Sequence, residues 1–407
     1  MGYVMKDQVT IEDIKLAQQR LAKVVTKTPL DQSTTFSKIA GCNVFLKLEN
    51  MQKTGSFKIR GAGNCIASLS DAERAKGVIA ASAGNHAQGV ALGATRFGVK
   101  STIVMPEPAP LSKVEATRGY GAEVVLHGTY YDEANAEARR IQEQTGQTFV
   151  HAFDNPQVIA GQGTVALEML AQNPNLKSIA VPIGGGGLLA GIAVAVKALA
   201  PQIKVYGVQS SGAPSMYLSR NAGKIIQTAE ANTLADGIAV KRPGEITFDL
   251  IQKYVDDIVV VKDEDIATTM LLMLERCKMV VEGAGATALT AVLHGLLPYA
   301  EDVGSVISGG NVDVNFISRI IENGLIKAGR RVKLLTSLND RPGELLKFIT
   351  YIAEQKANIV YIYHEHAARN LPIGQTMVEI DLETRDQEHA KNIIYNLRKA
   401  GYRVELI

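Results

Sequence analysis

The chain is poor in cysteine, in excess charge and in long apolar runs, and each shortage narrows what it can be. Cys42, Cys65 and Cys277 are the only cysteines in 407 residues, odd in number and far apart. That spacing suits neither a disulfide framework nor a metal knuckle, and reads as reduced thiols in a cytoplasmic protein. A formal net charge of +2 leaves no basic footprint for nucleic acid and no acidic tail. No uninterrupted apolar run reaches the roughly 20 residues of a membrane helix. Residues 1–7 lack the basic-then-apolar pattern of a secretory signal. The expectation is a soluble, cytoplasmic protein with neither nucleic acid nor membrane as partner. Internal repeats, low-complexity segments and the phosphate-loop pattern ending in Gly-Lys-Ser/Thr are also missing.

Glycine is what the chain has in quantity: 37 residues, many in clusters where a backbone turns sharply or approaches a ligand. The length suffices for two or three domains with full cores. Thr10 followed by Asp13 marks a capping-box-like helix start, with Ile11, Ile14, Leu21 and Val25 roughly on one face and a stop expected near Thr28-Pro29. Residues 44–48 read as a strand leading to a loop around Lys58, and 61–69 as a helix. Apolar runs at 77–81, 100–105, 123–126 and 148–150 alternate with helical stretches at 86–97, 114–118 and 131–144. A second set follows, with strands at 178–183, 204–208, 258–261 and 305–307 and helices at 161–170, up to 199, at 263–279 and from 282.

Such alternation predicts right-handed crossovers and helices on both faces of parallel-rich sheets, hence an α/β protein of two lobes around a cleft. Beyond Gly329, strands at 332–338, 358–366, 375–382 and 402–406 and helices at 344–355 and 386–400 give a ferredoxin-like βαββαβ order. The expected domains are 1–328, with a small lobe of about residues 50–150 inserted in a large one, and 329–407.

Two features point to chemistry. Lys58 stands beside Phe57 in a Gly/Ser-rich segment, a setting for an amine that forms a Schiff base with an aldehyde cofactor. That use requires the amine pKa to be pulled down by burial or by a neighbouring cation, for which Arg60 is the nearby candidate. Gly184, Gly185, Gly186 and Gly187 follow an apolar strand and precede a helix, so backbone N–H groups gather there without obstructing side chains, a cradle for phosphate. The same run fits a dinucleotide fingerprint, which wants an acidic residue at the end of the next strand. That strand ends in Val208-Gln209-Ser210, without a carboxylate, and disfavours the dinucleotide. Taken singly, Asn85 and His86 read as a helix cap and Ser308-Gly309-Gly310 as a turn.

Taken together they read differently. Ser56-Phe57-Lys58-Ile59-Arg60-Gly61-Ala62, Ser82-Ala83-Gly84-Asn85-His86, Gly184-Gly185-Gly186-Gly187-Leu188 and Ser308-Gly309-Gly310-Asn311 occur in that order. In this order they resemble the motifs of the fold-type II pyridoxal-phosphate (PLP) enzymes, of tryptophan synthase β-like fold. Over about residues 5–325 the chain resembles the threonine dehydratase, or threonine ammonia-lyase, family, and residues 330–407 resemble the ACT regulatory domain. The resemblance implies PLP as cofactor and elimination of water from L-threonine or L-serine, giving 2-oxobutanoate or pyruvate and ammonia. It implies Lys58 as the residue that carries the cofactor and takes the α-proton, Phe57 packed beside the ring, and Asn85 on the ring hydroxyl. Gly184, Gly185, Gly186, Gly187 and Leu188 would bind the phosphate, and Ser308 would meet the pyridine nitrogen. Ser82, with the backbone of Ala83, Gly84, Asn85 and His86, would hold the substrate carboxylate. A hydroxyl at the ring nitrogen makes a weaker electron sink than a carboxylate, which favours prompt loss of the β-hydroxyl.

Related serine racemases carry a second serine where this chain has Ala83, and bind a divalent cation through carboxylates where it has Gln209 and Ser215. Elimination, without a metal site, is therefore expected. The ACT resemblance rests on Asn339-Asp340-Arg341-Pro342-Gly343-Glu344-Leu345 and implies a small amino-acid effector contacting Asn339, Asp340 and Gly343 where domains pair. Pairing in turn implies a homodimer or homotetramer. Some short catabolic relatives bind AMP near positions matching Lys53, Thr54, Gln88 and Asn311. The alternatives are a serine dehydratase or racemase, a β-replacing PLP synthase, and a non-catalytic amino-acid sensor. Isoleucine synthesis and threonine catabolism both remain open as the pathway.

Overall fold

A computed structural model describes residues 9–366 and 371–407; the signal reading of residues 1–7 lies outside the described residues. Residues up to Val312 form one compact unit and Asp313–Ile407 another. No helix among the described residues is long and apolar enough to cross a membrane.

The first unit contains two sheets. The larger is built from β1 (Leu30–Gln32), β2 (Asn43–Leu48), β7 (Ser178–Pro182), β8 (Lys204–Ser210), β9 (Asp257–Val261) and β10 (Asp302–Ile307), in the order β1-β2-β10-β7-β8-β9. It is parallel except for β1. Between β2 and β7 the chain builds the smaller, fully parallel sheet from β3 (Val78–Ala81), β4 (Ser101–Met105), β5 (Glu123–Leu126) and β6 (Thr148–Phe149), in the order β5-β4-β3-β6. Every residue of β3, β4 and β7 is buried, as expected of parallel strands covered on both faces, whose sequences run apolar without alternation.

The helices differ from the sequence expectation mainly at their ends. The capping box at Thr10 and Asp13 is present, but the helix Ile11–Leu21 stops early, because the N–H groups of Val24 and Val25 both turn back to the Leu21 carbonyl. Lys58 itself opens a helix, Lys58–Ala67, rather than standing in a loop before one. The helix expected from Gly161 starts at Pro156, with the Asn155 side chain capping and proline in the first turn, where its missing N–H costs nothing. The helix Asp263–Leu272 gives way to a π-turn, Met273–Cys277, and Lys278 at φ +58° ends it before the expected Met279.

A buried ion network fixes the helix that Lys58 opens. The Arg60 guanidinium grips Glu49 twice, at 2.7 and 2.8 Å, and Glu168 twice, at 2.7 and 3.0 Å. Lys47 donates to Glu168 at 2.6 Å and to the Thr28 carbonyl at 2.7 Å. Two cations thus face two carboxylates, and Arg60, Lys47 and Glu49 are fully buried. The network joins β2, the turn after it, the Lys58 helix and the helix Pro156–Gln172.

The second unit carries β11 (Arg331–Asn339), β12 (Asn358–Glu365), β13 (Gln375–Glu383) and β14 (Val404–Leu406) in one antiparallel sheet, ordered β12-β13-β11-β14. With helices Glu344–Glu354 and Gln387–Lys399 this is the βαββαβ order read from sequence, around a core of Leu334, Phe348, Ile352, Ile380, Ile393 and Leu397. The helix Val314–Lys327 belongs to this unit, so the compact units divide between Val312 and Asp313 and not at the expected 328/329; the helix closes at Gly329, whose φ of +64° lets Arg330 N–H reach back to the Leu325 carbonyl at 2.8 Å.

Removing one member of the buried network leaves a charge without its partner. Glu49→Ala is expected to cost about 3–5 kcal/mol of unfolding free energy, measured by urea denaturation followed by circular dichroism.

Candidate active site

Local pairing places Lys58. Ser56 bridges Gly309 in antiparallel fashion, Phe57 N–H donates to the Ser308 carbonyl at 3.1 Å, and Gly310 N–H donates to the Gly55 carbonyl at 2.9 Å. The lysine segment is thereby stitched to the loop that β10 delivers. Gly89 in the helix Asn85–Arg96, which follows β3 of the smaller sheet, packs so closely that a Cβ there would lie 3.0 Å from the Lys58 carbonyl carbon.

The Lys58 amine donates to the Ala152 carbonyl at 3.0 Å and lies 5.2 Å from the centroid of the Phe57 ring. Lys58 keeps some exposed surface, yet its amine is enclosed by protein, and that desolvation lowers its pKa to about 8, against the opposing pull of Glu282. A position at the positive end of its own helix acts in the same direction. Arg60 does not supply the neighbouring cation expected from the sequence: its charge is spent on Glu49 and Glu168, and burial does the work instead.

The next residue along from Ala152 connects the amine to the glycine run. A Cβ at Gly185 or Gly187 would run into Phe153, and one at Gly184 would lie 3.0 Å from Ile238 Cα, so side-chain-free backbone is required there. Gly186 sits at φ +100°, in the left-handed region that glycine favours. The helix Gly187–Leu199 then begins with buried Leu188 and makes its first backward bond from Ala190 N–H to the Gly186 carbonyl at 2.9 Å. Amides ahead of that bond lack intrahelical acceptors and lie at the positive end of the dipole.

The remaining candidates converge on the same place. β3 delivers Ser82, whose hydroxyl accepts the Gly84 N–H at 3.2 Å, ahead of the helix that Asn85 opens; Ala83 packs on the apolar core around the smaller sheet. Asn85 donates to the Glu282 carboxylate at 2.7 Å, and Asn311 donates to the Asn85 carbonyl oxygen at 2.8 Å. Ser308 is buried at the end of β10. His86 lies with Nε2 2.8 Å from the Val150 carbonyl and with Nδ1 buried and unpartnered. Burial, then the Lys58 charge, lowers its pKa to about 3, so the ring is neutral with its proton on Nε2.

Glu282 escaped the sequence reading as a functional residue. It is buried, and burial followed by the Asp236 charge raises its pKa to about 8. The available signal was a lone carboxylate within Val280-Val281-Glu282-Gly283-Ala284-Gly285, where an apolar, glycine-rich helix start gives it no solvent.

Gln209 accepts the Tyr217 N–H at 2.8 Å and Ser215 donates to the Val240 carbonyl at 2.7 Å, so both are committed to backbone. Of the AMP-type set, Thr54 and Asn311 touch, Asn311 donating to the Thr54 carbonyl at 2.7 Å, while Gln88 is buried and Lys53 exposed. In the second unit, Asn339 ends β11, Asp340 N–H donates to the Gly374 carbonyl at 2.9 Å with its carboxylate 3.4 Å from His366 Nδ1, and Gly343 caps the next helix at φ +92°.

A desolvated amine that is partly free near neutral pH attacks carbonyl carbon, and unpaired amides at a helix start bind an anion. Both groups flank one short segment, 152–153, and together they fit a phosphorylated aldehyde. The class so defined is an enzyme that carries a carbonyl cofactor on a lysine. The chain belongs to the family of pyridoxal-phosphate dependent enzymes, whose model matches residues 21–309.

It is 51% identical over 399 residues to an L-threonine ammonia-lyase of Thermotoga maritima, covering 98% of this chain and 100% of that one, so the likeness extends through the second unit. Among solved structures it is similar to the processed form of threonine deaminase isoform 2 from Solanum lycopersicum, with a TM-score of 0.74 and 35% identity over 79% of this chain and 92% of that one. It is also similar to maize serine racemase, with a TM-score of 0.74 and 38% identity over 78% of this chain and 98% of that one.

The Lys58 amine is expected to titrate near pH 8 instead of near 10.5. In the cofactor-free protein its rate of reaction with an amine-labelling reagent, followed by peptide mass spectrometry, should rise with that midpoint while exposed lysines continue to gain reactivity at higher pH.

Proposed function

We propose that the chain is a PLP-dependent L-threonine ammonia-lyase, converting L-threonine to 2-oxobutanoate and ammonia and L-serine to pyruvate and ammonia. The observation that carries this reading is the enclosed Lys58 amine, 3.0 Å from the Ala152 carbonyl and one residue along from the ring that packs on the glycine run. Bound PLP supplies an electron sink for the electron pair left at the substrate α-carbon.

The chain's own residues do the rest. Lys58 would hold the cofactor through its free amine and would take the α-proton of the substrate. Gly184, Gly185, Gly186, Gly187 and Leu188 hold the phosphate, Phe57 packs beside the ring, and Ser308 offers the ring nitrogen a neutral hydroxyl. Asn85 holds the ring hydroxyl. Ser82 and the amides of 83–86 hold the substrate carboxylate. Ala83 leaves no second acid to return a proton on the opposite side, which supports elimination over racemisation. Threonine and serine both react, because one β-methyl in a pocket is worth only about 1–3 kcal/mol.

Control is assigned to the second unit. A small amino acid binds there near Asn339, Asp340 and Gly343, where two such domains pair in a homodimer or homotetramer. The Asp340 carboxylate and the N-terminal end of the helix that Gly343 caps offer complementary charges to an amino acid's ammonium and carboxylate. An AMP-type site near Lys53, Thr54, Gln88 and Asn311 is the weaker regulatory reading, because Asn311 is already bonded to Thr54 and Asn85. Soluble, cytoplasmic residence completes the proposal.

Purified protein given L-threonine should release 2-oxobutanoate and ammonia in equal amounts, with little D-serine formed from L-serine; predominant D-serine would favour the racemase reading. Lys58→Ala is expected to lose at least about a hundredfold in kcat together with the visible absorbance of lysine-bound cofactor. Titration with isoleucine, valine, serine and AMP should change the rate through one of the amino acids, and Asp340→Ala should weaken that response.

A further inference from the structure

We propose that Glu282 is a positioning residue for the cofactor: with Asn311 it clamps the Asn85 carboxamide so that a single Nδ2–H is left to face the bound ring. This rests on the PLP reading above and adds how the chain sets the polarity of its contact with the ring hydroxyl.

The Thr54 backbone carbonyl can only accept, so the Asn311 atom 2.7 Å from it is the amide nitrogen. That same nitrogen lies 2.8 Å from Asn85, and its second hydrogen requires an acceptor there, which fixes the Asn85 atom as Oδ1. Asn85 Nδ2 consequently points the other way and donates to Glu282 Oε1 at 2.7 Å. A primary amide has two N–H donors. One is used by Glu282, and one remains.

Glu282 has no room to release its hold. It is 4% exposed, its own N–H donates to the Gly309 carbonyl at 3.1 Å, and a Cβ at Gly309 would run into its carboxylate. Gly237 backs the other side, where a Cβ would lie 3.6 Å from Oε1 and 4.0 Å from Asn85 Nδ2. The charged groups that act on it are Asp236, Lys113 and Lys58. With a pKa near 8 the carboxyl keeps its proton through neutral pH, and its carbonyl oxygen still accepts from Asn85. Glu282 therefore orients the amide without placing a full negative charge beside the ring.

A lone N–H facing the pocket stabilises an oxygen carrying negative charge and repels a hydroxyl that tries to donate. The clamp thus favours the deprotonated ring hydroxyl, and disturbing it should show in the cofactor spectrum as well as in its affinity.

The test uses the full-length holoenzyme and its variants, reading the PLP dissociation constant by fluorescence and the cofactor absorbance between about pH 6 and 10. Glu282→Ala and Asn311→Ala should each weaken PLP binding about tenfold, the cost of a lost buried hydrogen bond to the orienting group, and shift the absorbance toward the protonated-hydroxyl form. Glu282→Gln, which keeps an acceptor oxygen, should restore affinity to within about threefold and abolish any spectral titration near pH 8. Adding Glu282→Ala to Asn85→Ala should do no further harm, because both remove one unit. Wild-type affinity and an unchanged spectrum in Glu282→Ala would overturn the proposal, as would additive losses in the double variant. A wild-type protein that takes up no PLP at all would overturn the parent reading instead.

Discussion

Two residues past Lys58, a buried guanidinium decides where that lysine can be. Arg60 is held by Glu49 and Glu168, and Glu168 by Lys47, so β2, the turn after it, the helix that Lys58 opens and the helix Pro156–Gln172 share one electrostatic knot. Charges this deep are tolerated only where each has its opposite in hydrogen-bond contact. The same knot that satisfies Arg60 therefore holds the first turn of the Lys58 helix in one register. Swapping the network for apolar side chains of similar volume would not necessarily weaken the fold, but it would remove the directional bonds that select this register.

Desolvation then acts on the groups the knot brings together. The amine of Lys58 and the carboxyl of Glu282 are moved from opposite ends of the pH scale to about 8 each, and the neutral ring of His86 lies nearby with an unused acceptor. A pocket with these groups can accept and return protons near neutral pH without first stripping a strongly held charge. Arg60 contributes to this arrangement by geometry and not by its field, since its charge is already balanced by its carboxylate partners.

The site is assembled from both sheets of the first unit. β3 delivers the Ser82 turn, β7 the glycine run and β10 the Ser308 loop, each at the C-terminal end of its strand, where helix starts and their free amides collect. Glycine permits these segments to approach one another: Phe153 occupies the space a side chain at 185 or 187 would need, and Gly89 admits the backbone of Lys58. Backbone groups left accessible by such packing bind anions without any charged side chain.

Much of this was legible in the residue order. Buried parallel strands advertise themselves as apolar runs, the glycine run can serve few ends besides close backbone approach, and the βαββαβ order of the second unit follows from its periodicity. Element ends were less legible, because Asn155 and Pro156 start a helix by capping chemistry and the turn after Leu21 ends one through backbone bonds that no side-chain pattern records. Sequence alone thus determined the fold class, the candidate lysine and the candidate anion cradle, since each depends on local spacing and residue type. Only the tertiary structure decided that burial tunes Lys58 in place of Arg60, and that Glu282 and Asn311 orient Asn85. Solvent exclusion and contacts between residues about two hundred positions apart are properties of the packed chain, set by which distant segments exclude water from one another.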